Sequence, residues 1–116
     1  MRVVAVFDDL LLGSNVLGTL RAAGHEATLA GPRDARPGGC DVLIVDLATE
    51  GFDGVELAER LRAAGELEDV RLLGVYSHVH VEQKQAAEAA GFDLVVPRSR
   101  MAREGAALVE RLSARA

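Results

Sequence analysis

Four short runs of almost uninterrupted apolar character, VVAVF (3–7), DVLIVD (41–46), VRLLGVY (70–76) and LVVP (94–97), constrain this chain more than any other feature. A strand with one wet face alternates apolar and polar residues, whereas a run without alternation is dry on both faces. Such strands need layers above and below them, and the intervening segments can supply those layers. Ser14 is placed to cap a helix that carries Val16, Leu17, Leu20 and Ala23 at helical spacing and stops at Gly24. Asp53-Gly54 opens a second helix through about Ala64, with Val55, Ala58 and Leu61 on one face. A small-residue helix covers about His80 to Ala90 before Gly91, and a last helix from about Arg100 aligns Met101, Gly105, Leu108 and Leu112. HEATLA (25–30) alternates like a more exposed edge strand. This alternation of strand and helix predicts an α/β fold, a doubly wound parallel sheet whose right-handed crossovers carry helices over both faces.

One crossover breaks the pattern. GPRDARPGGC (31–40) holds two prolines and three glycines in ten residues, which no regular helix tolerates. The helix expected between the second and third strands is therefore missing or reduced to a loop. That leaves one face of the sheet thinly covered, to be filled by a partner, by the loop folding back, or by larger side chains. The thin cover makes this face a candidate homodimer surface.

The bulk properties set outer limits. At 116 residues the chain is read as a single domain, 1–116, large enough for one core, and 49% hydrophobic with 27% charged residues is ordinary for a globular protein. A net charge of −5 argues against direct contact with nucleic acid or an anionic membrane and suits a cation better. Cys40 is the only cysteine, so no internal disulfide forms; beside a strand it reads as a small buried hydrophobe. No run approaches the length of a membrane span, and the apolar stretch behind Met1 is too short for a secretion signal. A cytoplasmic location is the expectation.

The acids carry the chemistry. Asp8 and Asp9 follow the first strand, and Asp46 ends the third, within LIVDLATEGFDG. Each alone could simply mark a strand reaching water. In a doubly wound sheet of order 2-1-3-4-5, however, the first and third strands are neighbours, and ligands collect at their carboxyl ends. Three carboxylates at one rim repel one another unless a cation joins them, and a hard ion such as Mg²⁺ wants such oxygens.

Asp8-Asp9, Asp46, the following LATEGFDGVEL with Asp53-Gly54, and AEAAGFD (87–93) together resemble the receiver domain of bacterial response regulators, over essentially the whole chain. The resemblance implies a flavodoxin-like five-stranded sheet of order 2-1-3-4-5. It also implies that Asp46 accepts a phosphoryl group from a histidine kinase or phosphotransfer protein. Asp9, assisted by Asp8, would bind Mg²⁺ with Asp46 and the backbone carbonyl of Ala48. The state would be read by an unknown output protein. No enzyme activity is expected beyond phosphoacceptor and autophosphatase behaviour.

The sequence departs from that pattern where the switch should be. Tyr76 stands where the family places Thr or Ser to touch the phosphoryl group, with Ser77 one residue further on. Tyr76 could donate through its hydroxyl or simply fill the strand end. Arg98 replaces the family's lysine, and its planar fork suits a standing pair with Asp46; a solvated place at the start of the last helix is the alternative. Val95 replaces the aromatic or histidine switch residue, and Glu50 replaces a common proline. His78 and His80 lack a third metal ligand and read as surface residues, and Gly13-Ser14-Asn15 is not a phosphate loop.

Two functions therefore compete. One is a stand-alone atypical receiver phosphorylated at Asp46 with Mg²⁺. The other is a pseudo-receiver, an interaction module of the same fold that phosphate does not switch. A flavodoxin-like small-molecule binder is the third reading, weakened by the absence of a Ser/Thr-rich phosphate loop.

Overall fold

The computed structural model describes residues 1–113 of the chain. The elements run β1 (Arg2–Val6), α1 (Leu10–Ala22), β2 (Glu26–Ala30), β3 (Val42–Asp46), α2 (Gly54–Ala63), β4 (Arg71–Tyr76), α3 (Val81–Ala89), β5 (Leu94–Pro97) and α4 (Arg98–Ser113). The strands form one sheet of order β2-β1-β3-β4-β5, with every neighbouring pair parallel. This is the doubly wound parallel sheet the apolar runs predict, in the flavodoxin-like order the resemblance implies.

Strand periodicity divides the core in two. Val3, Ala5, Val42, Ile44, Leu73 and Val75 face one way and pack with Val16 and Leu20 of α1 and Met101, Leu108 and Leu112 of α4. Val4, Val6, Leu43, Val45 and Leu72 face the other way, against Leu57, Ala58 and Leu61 of α2 and Ala87 of α3. Each side chain points to one face or the other because successive strand residues alternate, so the parity of a residue fixes which helices it meets. Asp46 shares the parity of Val42 and Ile44, the α1/α4 side. Tyr76 shares that of Leu72 and packs against the α2/α3 core.

No helix stands between β2 and β3, and the thin place is filled from within the chain. Residues 31–40 fold back over the α2/α3 face, burying Ala35 and Cys40 at 1% and 4% exposure. Arg60 of α2 donates to the Pro32 carbonyl at 2.9 Å, and the Gly38 amide donates to Glu66 at 3.2 Å, so both ends of the loop are anchored. Of the three ways to cover the gap, the chain uses its own loop.

Two helix starts differ from the sequence reading. α1 begins at Leu10, not near Ser14, because Asp9 caps it: its Oδ1 accepts the Leu11 and Leu12 amides at 3.0 and 3.1 Å. An aspartate in extended backbone just ahead of an apolar run caps as well as serine does. Gly13-Ser14-Asn15 then continues as helix interior, and Gly13 lets α1 approach Leu29 and Phe7, which an added Cβ would meet at 3.2 Å. α4 begins at Arg98, two residues before the expected Arg100, directly from the end of β5. It is kinked at Glu104, whose carboxylate lies 3.5 Å from Arg100 and 3.7 Å from Arg103. No helix among the described residues is long and apolar enough to cross a membrane.

Candidate functional site

β1 and β3 are neighbours, with Val6 opposite Val45, so the segments that leave them start from one rim of the sheet. Asp46 is the last residue of β3 and the one polar residue in the buried core of the described chain, at 0% exposure. A buried carboxylate must be hydrogen-bonded or paired. Its Oδ1 accepts the Ala48 amide at 2.9 Å, a tight turn that the chain makes as it leaves the strand. Its Oδ2 accepts from Nη2 of Arg98 at 3.1 Å.

Arg98 reaches Asp46 because β5 passes directly into α4, which places the first helical residue over the rim. Its Nη2 also donates to the Ala48 carbonyl at 3.2 Å, and its Nη1 lies 3.9 Å from Asp9. The fork thus spans three groups, at the end of β3, just after it and just after β1, and does not clasp Asp46 with both nitrogens. Nε is buried without a hydrogen-bond partner. A buried donor left unpaired costs about 1–3 kcal/mol, so the guanidinium is oriented at the expense of one of its own hydrogen bonds.

The acidic pair after β1 is occupied as well. Asp9 caps α1 through Oδ1. Asp8 accepts the Thr49 hydroxyl at 2.9 Å, and that hydroxyl accepts the Gly51 amide at 3.0 Å. Gly51 lies so close that an added Cβ would stand 2.7 Å from the Asp8 carboxyl carbon, so any larger residue would push that exposed carboxylate aside. Gly54 is similarly enclosed by Leu47, Val45 and the Asp46 carbonyl, at 2.7–3.0 Å from an added Cβ. The loop between β3 and α2 is therefore moulded onto the two acids it follows and faces.

Tyr76 is half-buried on the opposite side of the sheet from Asp46, packed with the α2/α3 core. Ser77 has its amide on the Gln83 side-chain oxygen at 3.4 Å and its carbonyl accepting from the His80 amide at 2.8 Å. Neither side chain bonds to Asp46. His80 precedes α3 and pairs with Glu82 at 3.1 Å, and His78 is exposed. Val95 is buried in β5, and Glu50 is exposed in the loop. A cleft of about 580 Å³ opens beside the site between that loop and α3, walled by residues such as Thr49, Phe52, Glu82 and Gln83. Asp46 is not among its walls. Sequence reasoning missed Thr49, and it missed the capping role of Asp9, although an Asp immediately before LLLG is itself a helix-start signal.

The groups that the resemblance assigns to Mg²⁺ do not fit it in this arrangement. Among the described residues no three acidic, thiol or imidazole side chains stand together as a metal-binding group. Both oxygens of Asp46, the carbonyl of Ala48 and one oxygen each of Asp8 and Asp9 already accept hydrogen bonds. A guanidinium occupies the space between Asp46 and Ala48, and Mg²⁺ demands near-octahedral oxygen ligands at about 2.0–2.1 Å.

No family model matches the sequence, and no curated protein sequence does. Solved structures match closely in shape. The receiver domain of response regulator 1452 from Francisella superposes with a TM-score of 0.82 at 19% identity, covering 98% of this chain and 97% of that one. The chemotaxis response regulator CheY4 of Vibrio cholerae gives 0.79 at 24% identity, covering 96% and 97%. NtrX from Brucella abortus gives 0.85 at 18% identity over 98% of this chain, which spans 27% of NtrX.

The chain has the response-regulator receiver fold. On that fold Asp46 ends the third strand, beside the strand that Asp8 and Asp9 follow. The receiver likeness covers the whole described architecture, with four helices among the described residues and a loop in place of a helix between β2 and β3.

Proposed function

We propose that this protein is a pseudo-receiver: an interaction module of receiver fold whose Asp46 is held by Arg98 and is not switched by phosphate. The observation that carries this reading is the 3.1 Å contact between Arg98 Nη2 and Asp46 Oδ2, with Asp46 fully buried. Transfer of a phosphoryl group needs a carboxylate oxygen open to in-line attack and a cation to neutralise the charge that develops. Here the oxygens are both hydrogen-bonded, and the cation belongs to the chain itself. Signalling then rests on contact. Leu10 and Leu11 in the first turn of α1 are 69% and 75% exposed, and Val79 and Val81 at the start of α3 are 69% and 52% exposed. Apolar side chains exposed at two helix starts beyond the carboxyl ends of the strands suit a protein partner. We infer the partner class from the fold: a kinase or phosphotransfer protein and an output protein of two-component signalling.

The phosphate-accepting receiver is the second reading, favoured by the survival of Asp8, Asp9 and Asp46 at adjoining strand ends. It requires Arg98 to leave Asp46. Incubation with Mg²⁺ and acetyl phosphate, followed by intact-mass measurement, separates the two. The pseudo-receiver shows no phosphoryl-sized gain. A gain that Asp46→Asn abolishes would establish the receiver instead.

A further inference from the structure

We propose that Arg98 is the resident cation of this site, standing where a divalent ion would otherwise join the acids, and that its removal opens a divalent-metal site. The inference deepens the functional reading and rests on Asp46 being the centre of the site. One nitrogen, Nη2, donates both to Asp46 Oδ2 at 3.1 Å and to the Ala48 carbonyl at 3.2 Å. An ion bound by Asp46 and the Ala48 carbonyl would need those same two oxygens. Nη2 sits between those two oxygens, where an ion bound to both would have to stand, and two cations so close repel.

The remaining geometry points the same way. Nη1 faces Asp9 at 3.9 Å, so a single planar group addresses a second rim acid as well. Nε is left buried and unpaired, which is the orientation expected if the position of Nη2 governs the side chain. A lysine has one compact ammonium on a flexible stem and does not present a rigid fork to separate acceptors. Arg98 retains 34% side-chain exposure, so its removal opens a path from solvent to a carboxylate that is otherwise sealed.

The experiment titrates the full chain with Mn²⁺, read by the loss of the free-ion electron paramagnetic resonance signal, in wild type, Arg98→Ala and Arg98→Ala/Asp46→Asn. Circular dichroism checks that each variant folds. The expected result is at least about tenfold tighter Mn²⁺ binding in Arg98→Ala than in wild type, lost again in the double variant. Equal binding by wild type and Arg98→Ala overturns the inference, as does a gain that survives Asp46→Asn. If Arg98→Ala fails to fold, the wild-type protein still decides. A melting temperature independent of Mg²⁺ supports the inference, and a saturable rise that Asp46→Asn removes overturns it. A wild-type chain that binds Mn²⁺ at Asp46 yet accepts no phosphoryl group refutes the resident cation and leaves the pseudo-receiver standing. A chain that accepts phosphate refutes the pseudo-receiver.

Discussion

Thr49 ties Asp8 to the loop that follows Asp46: its hydroxyl donates to Asp8 Oδ2 at 2.9 Å while accepting the Gly51 amide at 3.0 Å. One side chain thereby joins the segment after β1 to the segment after β3, where the sequence shows only an unremarked threonine. Rim acids that repel one another are held in place by a hydroxyl, two helix-start amides and a guanidinium.

Removing that tie should loosen the loop without touching the sheet. Thr49→Val deletes the hydroxyl at nearly constant volume and should cost about 1 kcal/mol in urea unfolding. Gly51→Ala should cost a similar amount, about 1 kcal/mol, because its Cβ would stand 2.7 Å from the Asp8 carboxyl carbon and push that exposed carboxylate off the Thr49 hydroxyl. Combining them should cost less than the sum, since both act on the same contact.

Asp9 stabilises α1 as a cap. Asp9→Ala should cost about 1 kcal/mol, while Asp9→Asn and Asp9→Ser should recover most of it because each keeps an acceptor for the Leu11 and Leu12 amides. Thermal melts of the three variants check this. If Asn were as damaging as Ala, the charge of Asp9 and not its capping would be what the fold uses.

The sheet was legible in the sequence because dry strands leave an unambiguous signature: DVLIVD and VRLLGVY have no wet face to misread. The two-proline segment announced the missing helix, though not that it would fold back and bury Ala35. The site was legible in part. Asp46 and Arg98 could be placed by their positions relative to strand ends, and the structure brings them to 3.1 Å. The rim position of Asp9 was legible too, but its capping role was missed although Asp before LLLG signals it, and the Thr49 contact was not legible because it depends on how the loop folds. Ser14 reads as a cap by residue type, yet Asp9 is an equally good capping residue and the helix starts there, at Leu10.

Cys40 gives the stability a pH dependence of known sign. Burial pushes its thiol above the ordinary value of 9.0, so the folded protein holds a proton that the unfolded chain releases. Its effect on stability is absent below pH 9.0 and becomes a loss as pH rises through that value towards the folded pKa. Cys40→Ala should flatten this alkaline decline in urea unfolding. Iodoacetamide should modify Cys40 slowly in buffer and rapidly in denaturant.

The central claim is that Arg98 and Asp46 act as one unit, and a double-mutant cycle measures that directly. Arg98→Gln, Asp46→Asn and the pair together are unfolded in urea beside the wild type. Breaking a buried pair from one side strands the other group, though the half-exposed guanidinium softens the penalty. The account predicts a coupling energy of about 1–2 kcal/mol, with the double variant less destabilised than the sum of the singles. Additivity to within about 0.5 kcal/mol would contradict it.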